Sequence, residues 1–181
     1  MMKQLFKDIV TPELSEGAII NNEFKGFKED YLVLWCLLKQ YNPSSVFEIG
    51  TNFGTGTNII CNALPYADVY SLELPFGEGD APLVNKGKDM TGVNCKLPFT
   101  QIRADSTTYD YSEYPCKCYY VDATHQYDNV FKETTLILEQ EPDIIIFHDA
   151  DIPEVLQGIK DAKGDYTLYR VTDTRIAYLL K

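Results

Sequence analysis

From Ser44 onward the sequence alternates between two kinds of segment. Apolar runs rich in β-branched and aromatic residues recur at Val46 to Ile49, Val69 to Leu74, Phe99 to Arg103, Cys118 to Val121 and Asp143 to Phe147. Helical patterns separate most of them. Strands joined through helices return parallel to one another, so the expected class is α/β: a mostly parallel sheet with helices on both faces. The end of the chain breaks the rule. In "YTLYRVTDTRIAYLLK" two β-rich runs are separated only by a tight polar turn around Asp173 and Thr174, which makes them antiparallel neighbours and reverses the last strand.

Ahead of this lies "GFKEDYLVLWCLLKQYNP", with Phe27, Tyr31, Leu34, Trp35 and Leu38 at helical spacing, acids early, Lys39 late and Pro43 just beyond. These are the marks of one amphipathic helix. The opening residues to Lys25 form a weaker amphipathic piece interrupted by Pro12. The expected organisation is thus one compact unit, a helical segment over 1–43 leading into an α/β domain over 44–181. Two further helices are expected. "QYDNVFKETTLILEQ" carries Tyr127, Val130, Phe131, Thr134 and Leu138 on one face, and "IPEVLQGIKDAKG" runs from near Pro153 to Gly164. The segment from Pro75 to Pro98 holds four glycines, and its expected structured part is a short helix near Ala81 to Met90, serving as a ragged crossover.

Composition narrows the function. A net charge of -11 with no Lys/Arg cluster repels phosphate backbones and argues against a nucleic-acid partner. No run reaches the ~18 apolar residues of a membrane helix, and Met1 to Val10 lacks a signal peptide's apolar region, so a soluble, cytoplasmic protein is expected. The five cysteines form no C-x-x-C pair and leave one over in any disulfide scheme, which fits a reducing compartment. Cys116 and Cys118 read as buried core thiols.

Ligands of open α/β sheets sit beyond the carboxyl ends of the strands. After the first strand comes Glu48-Ile49-Gly50-Thr51-Asn52-Phe53-Gly54-Thr55-Gly56, a glycine-rich bend whose spacing differs from the G-x-G-x-x-G of pyrophosphate binders. An acid at this turn disfavours a pyrophosphate and favours a ligand with an amino group or a sulfonium. The second strand ends in Glu73, where a carboxylate can take both ribose hydroxyls. The third ends in Asp105 and Ser106, placed to hold an adenine amino group. The fourth and fifth end in "YYVDATHQYDN" and "IIIFHDAD", and the chain's only two histidines, His125 and His148, fall there beside Asp122 and Asp149.

These motifs resemble those of the Rossmann-like class I methyltransferases that use S-adenosylmethionine, especially the small O-methyltransferase-like families. There the turn reads much like "VFEIGTNFGTGT", an acid closes the second strand, a "GDS"-like segment follows the third, a "DGxHxY"-like motif the fourth, and a "PGGxxxxHD"-like segment marks the fifth. The reversed last strand also belongs to that fold, and the resemblance covers Val46 to Leu180. It implies that Gly50, Thr51, Asn52, Gly54 and Gly56 lie against the cofactor's methionine part, with Glu48 ordering the turn. Glu73 would bind the ribose, Asp105 with Ser106 the adenine edge, and Asp122 with His125 would face the transferred methyl. Related enzymes often bind a divalent metal such as Mg2+, which maps to Asp122 and Asp149. The chain departs from the pattern at Ala104, in the missing glycine pair before the fifth strand, and at Ala150, where metal-dependent members often carry Asp or Asn; Asp151 stands next to it as a substitute.

The resemblance therefore implies methyl transfer to a small-molecule hydroxyl, with the proton leaving either to a base such as His125 or through metal coordination. A small-molecule acceptor is the expected partner, without nucleic acid or membrane, and a homodimer is compatible with this. A non-catalytic cofactor-binding protein and a nicotinamide-dependent oxidoreductase share the sheet; the glycine spacing speaks against the second.

Overall fold

The computed structural model describes residues 1–18, 27–75, 84–85 and 88–181. Eight strands form one sheet. They are β1 (Met2–Gln4), β2 (Ser45–Ile49), β3 (Asp68–Glu73), β6 (Thr100–Arg103), β7 (Cys118–Val121), β8 (Ile144–Phe147), β9 (Thr167–Val171) and β10 (Ala177–Leu180). Between β3 and β6 lie two short strands, β4 (Val84–Asn85) and β5 (Lys88–Asp89). The sheet order is β1-β9-β10-β8-β7-β2-β3-β6. Only β10 runs against its neighbours, pairing antiparallel with both β8 and β9, while β1–β9, β7–β8, β2–β7, β2–β3 and β3–β6 are parallel. The reversed last strand is where the short Asp173–Thr174 turn requires it.

Alternation along β2 explains the two layers. Val46 points into a cluster with Val33, Leu34, Leu37, Ile59 and Ile60, which belong to α3 (Lys28–Tyr41) and α4 (Thr55–Ala63). Phe47 and Ile49 point the other way, into a cluster with Val130, Ile137, Val155 and Ile159 from α5 (Tyr127–Leu138) and α6 (Pro153–Ala162). Successive side chains of a strand face opposite sides, so one strand seeds both cores. The α3 helix stops at Asn42, which takes the left-handed conformation at φ 43° and returns its N–H to Leu38 O, directly before Pro43.

Three expectations change. The short helix expected near Ala81 to Met90 falls partly outside the described residues, and the described part is the antiparallel pair β4–β5. The face of α5 differs as well: Val130, Glu133, Thr134 and Ile137 are buried, whereas Tyr127 and Phe131 are exposed. Packing against α6 sets that rotation, because Gly158 brings the two helices so close that a Cβ there would meet Val130 Cβ at 3.1 Å. Finally, the N-terminal residues contribute a strand as well as helices: β1 extends the sheet beside β9, with Lys3 opposite Arg170. The short helices α1 (Phe6–Ile9) and α2 (Pro12–Ser15) follow, and Trp35 Nε1 donates to Leu14 O at 3.0 Å to tie them to α3. All five cysteines are free and buried. Among the described residues no helix is long and apolar enough to cross a membrane.

Candidate functional site at the carboxyl edge of the sheet

The sheet changes direction of connection between β2 and β7, and the loops leaving these two strands touch. Gly50 sits at φ 97°, and a Cβ on it would lie 2.1 Å from Asp122 O. Only glycine satisfies both the conformation and the space. Its N–H and that of Thr51 donate to Leu72 O at 2.8 and 3.3 Å, and Asp122 N donates to Ile49 O at 2.8 Å. Asn52 at φ 47° and Gly54 at φ 84° complete the bend into α4.

Glu48 is fully buried beneath this bend. Thr57 Oγ1 donates to its Oε2 at 2.5 Å, and Ser71 Oγ donates to the same oxygen. Ser71 is in turn bonded to Thr51 Oγ1 at 2.7 Å, which also accepts from Gln101 Nε2 at 2.9 Å. A Cβ at Gly56 would come within 2.5 Å of Glu48 Oε1, so the glycine lets the first turn of α4 settle onto the carboxyl. Burial pushes the Glu48 pKa up to about 8, against the lowering effect of the Ser71 and Thr57 hydroxyls. Glu48 thus orders the turn from behind; Thr57, Ser71 and Gln101 share that task and carry no sequence signal beyond being polar.

On the β3 side Glu73 is half-buried and accepts the Asn52 N–H at 2.7 Å and the Leu74 N–H at 3.1 Å, which joins the second strand's acid to the glycine turn. After β6, Asp105 is exposed and folds its own loop by accepting from Thr107 N and Thr107 Oγ1, both at 2.8 Å. Ser106 is buried, and its hydroxyl donates to Glu133 Oε1 at 2.5 Å. Burial pushes Glu133 up to about 7.

On the β7 and β8 side the two histidines and their aspartates meet. His125, half exposed, places Nε2 2.8 Å from Asp149 Oδ2. His148 is buried, with Nδ1 3.0 Å from Asp149 Oδ2 and 3.3 Å from Asp122 Oδ1. That nitrogen is not in line for a hydrogen bond to either. Its Nε2 faces Asp30 Oδ2 at 3.3 Å, across a separation of 118 residues. Burial alone favours the neutral ring, but Asp122, Asp149 and Asp30 outweigh it and raise the His148 pKa. For Asp149 burial works upward, and His148 with His125 draws the carboxyl below its usual range. Tyr120 Oη donates to Asp122 Oδ2 at 3.0 Å. Arg175, on the turn before β10, donates to Asp149 Oδ1 at 3.0 Å and stacks its guanidinium 4.6 Å over Phe27. Asp151 lies outside this group, 3.8 Å from Arg175 Nε.

Asp122, His148 and Asp149 each offer a donor atom, all within 4.8 Å of one another, so the third donor beside the expected Asp122 and Asp149 is His148 rather than Asp151. Sequence reasoning missed Asp30 and Arg175. Asp30 looked like an ordinary first-turn acid of α3, whereas it is buried and its Oδ1 accepts the Arg175 N–H at 2.8 Å.

No protein-family model and no curated protein sequence matches the chain. Solved structures do. The chain is similar to the O-methyltransferase from Bacillus cereus in complex with SAH, with TM-score 0.54 and 16% identity over 92% of this chain and 84% of that one. It is similar to SAH-bound PaMTH1 of Podospora anserina, with TM-score 0.62 and 11% identity over 85% and 79%. A third similarity is to the MycE methyltransferase of mycinamycin biosynthesis with Mg and SAH, with TM-score 0.54 and 15% identity; it covers 80% of this chain, which spans only 47% of that protein. The fold is that of the class I methyltransferases, as the motifs implied.

Proposed function

We propose that the chain is an S-adenosylmethionine-dependent methyltransferase acting in the cytoplasm on a hydroxyl of a small molecule. One observation carries the reading: at the switch point of the sheet, Gly50 brings the β2 turn against Asp122, with Glu73 hydrogen-bonded on one side and the His125–Asp149 pair on the other. Similarity to methyltransferases crystallised with SAH supports it.

In this reading the backbone of Gly50, Thr51, Asn52, Gly54 and Gly56 lies along the methionine part of the cofactor and Glu73 takes the ribose hydroxyls. Asp105 and Ser106 border the adenine, Ser106 through its backbone because its hydroxyl serves Glu133. Asp122 faces the sulfonium. Methyl transfer needs the acceptor oxygen held ~3 Å from the methyl and in line with the C–S bond. The oxygen forms a bond to the methyl carbon as the C–S bond breaks and its electrons neutralise the sulfonium. His125 Nε2 is committed to Asp149, which leaves Nδ1 to receive the hydroxyl proton, with Asp149 orienting the ring.

The acid and histidine cluster also fits a divalent cation, because a buried nitrogen without a hydrogen bond converges with two carboxylates. Asp122, Asp149 and His148 would hold it; when bound, such an ion lowers the pKa of a coordinated hydroxyl. The two carboxylates suit magnesium or manganese, and the imidazole moves the set toward iron or zinc. Screening hydroxyl compounds for methyl transfer, with a chelator and with added manganese or magnesium, tests the proposal. The expected result is a hydroxyl acceptor whose turnover falls ~100-fold or more in His125→Ala. Transfer confined to amines or thiols would overturn the hydroxyl assignment.

A further inference from the structure

Asp30 belongs to the first turn of α3, yet the histidine it meets at the carboxyl edge of the sheet is 118 residues away in the chain. An acid at a helix start ordinarily faces water and complements the helix dipole. This one is only 3% exposed, and both of its oxygens are engaged. Oδ2 faces His148 Nε2 at 3.3 Å, and Oδ1 accepts the Arg175 N–H at 2.8 Å.

Each contact leads to a different donor of the candidate cation centre. The first settles the imidazole. An ionised carboxylate only accepts, so the ring nitrogen turned toward Asp30 carries the proton and the lone pair of a neutral ring is left to Nδ1. Nδ1 is the nitrogen that converges with Asp122 Oδ1 and Asp149 Oδ2, and it is buried without a hydrogen bond. Tyr31, next to Asp30 on α3, stacks with the His148 ring at 6.3 Å, and Phe27 leans on that ring at 5.6 Å, so the start of α3 sets the plane of the imidazole as well as its edge. The second contact settles Asp149. The Arg175 main chain is held between Asp30 and the Ala150 N–H, which donates to Arg175 O at 2.8 Å, and its guanidinium donates to Asp149 Oδ1 at 3.0 Å. Asp149 sits at φ 52°, a left-handed conformation that a non-glycine residue keeps where its surroundings impose it.

We propose that Asp30 is the positioning residue of the cation centre: it fixes the His148 proton on Nε2 and, through Arg175, the Asp149 carboxylate, so that Nδ1 and two carboxylates converge before an ion arrives. This role presupposes the cation centre of Asp122, His148 and Asp149 and is independent of the methyl acceptor. A carboxylate bonded to the far nitrogen of a ligating histidine fixes the tautomer and orientation of the ring and contributes to metal affinity.

Zinc titration of the full chain, followed by calorimetry and by nitrogen–proton correlation spectra of the histidine rings, tests this. The chain has two histidines, and the His125→Ala spectrum tells them apart. In zinc-loaded wild type, His148 should show a metal-bound Nδ1 and a protonated, exchange-protected Nε2. Asp30→Asn then inverts the ring: the Arg175 N–H can only donate, so it turns the amide oxygen to itself and leaves the amide NH2 against Nε2. Zinc affinity should fall about 10- to 100-fold in that variant, and its metal-free neutral ring should carry the proton on Nδ1. Zinc bound through Nε2 in wild type, or bound as tightly by Asp30→Asn, would overturn the role of Asp30 and leave the centre standing. Zinc binding absent from wild type, or unchanged in His148→Ala, would overturn the centre and this role together. The wild-type spectrum decides the matter even where Asp30→Asn fails to fold.

Discussion

Replacing Glu133 by Gln should remove part of the protein's pH dependence while leaving the fold intact. Glu133 is fully buried on α5 and accepts from Ser106 Oγ at 2.5 Å, while its second oxygen has no hydrogen-bond partner. Burial moves its pKa from 4.5 to about 7. Because the folded value lies above the unfolded one, the native state holds more protons between them. The stability of the neutral form is fully present below pH ~4.5 and is lost as pH rises through ~7. At about 1.4 kcal/mol per pH unit the loss is about 3 kcal/mol, an order-of-magnitude figure. A glutamine keeps the acceptor for Ser106 and cannot ionise. Its amide leaves a constant offset, which cancels when the two proteins are compared across pH. Glu48, raised to about 8 by burial, slopes the same way in both proteins. Urea unfolding at pH 5 and pH 8.5 should therefore show Glu133→Gln gaining about 2 to 3 kcal/mol on wild type between the two, because part of the loss has already occurred at pH 5. A gap constant within ~0.5 kcal/mol would mean that Glu133 is already ionised in the fold, and the reasoning would fail.

Gly50→Ala should cost far more than Gly164→Ala. Both positions have positive φ, but the added Cβ at Gly50 lies 2.1 Å from Asp122 O and the one at Gly164 meets nothing within 4 Å. Thermal melts should show ~1 to 2 kcal/mol for Gly164→Ala and a much larger loss for Gly50→Ala; equal losses would refute the close approach. Glu73→Ala should weaken S-adenosylhomocysteine binding by ~1 to 3 kcal/mol, read by calorimetry, and an unchanged affinity would make it only the anchor of the Asn52 N–H. Manganese binding should tighten from pH 6 to pH 8, since His148 must release a proton to ligate, and should vanish in His148→Ala. Binding that ignores both changes would place the ion elsewhere.

Most of the fold was legible because local pattern and topology agree. Parallel strands separated by helices, and a short turn ahead of Ala177–Leu180, allow few arrangements, and the structure adopts the expected one. What stayed hidden depends on contacts between residues far apart in the chain. Met2–Gln4 is only three residues long and is a strand solely because Tyr169–Val171 lies beside it. The α5 face followed packing at Gly158 rather than hydrophobicity, which placed Glu133 inside and Phe131 outside. At the candidate site the acids and histidines at strand ends were visible as types at positions. Their partners were not, since Asp30 meets His148 and Arg175 only after the whole sheet has assembled. The same holds for Glu48: its place before the turn was plain, and its burial under Gly56 with Thr57 and Ser71 as donors was not.

A β2 turn that with Glu73 holds S-adenosylmethionine and not a dinucleotide has a direct thermodynamic signature. Calorimetric titration of the purified chain with S-adenosylmethionine and, separately, with NAD reads it. The expected result is saturable one-site binding of S-adenosylmethionine, weakened in Glu73→Ala, and no heat from NAD beyond dilution. Saturable NAD binding with no detectable binding of S-adenosylmethionine would contradict it.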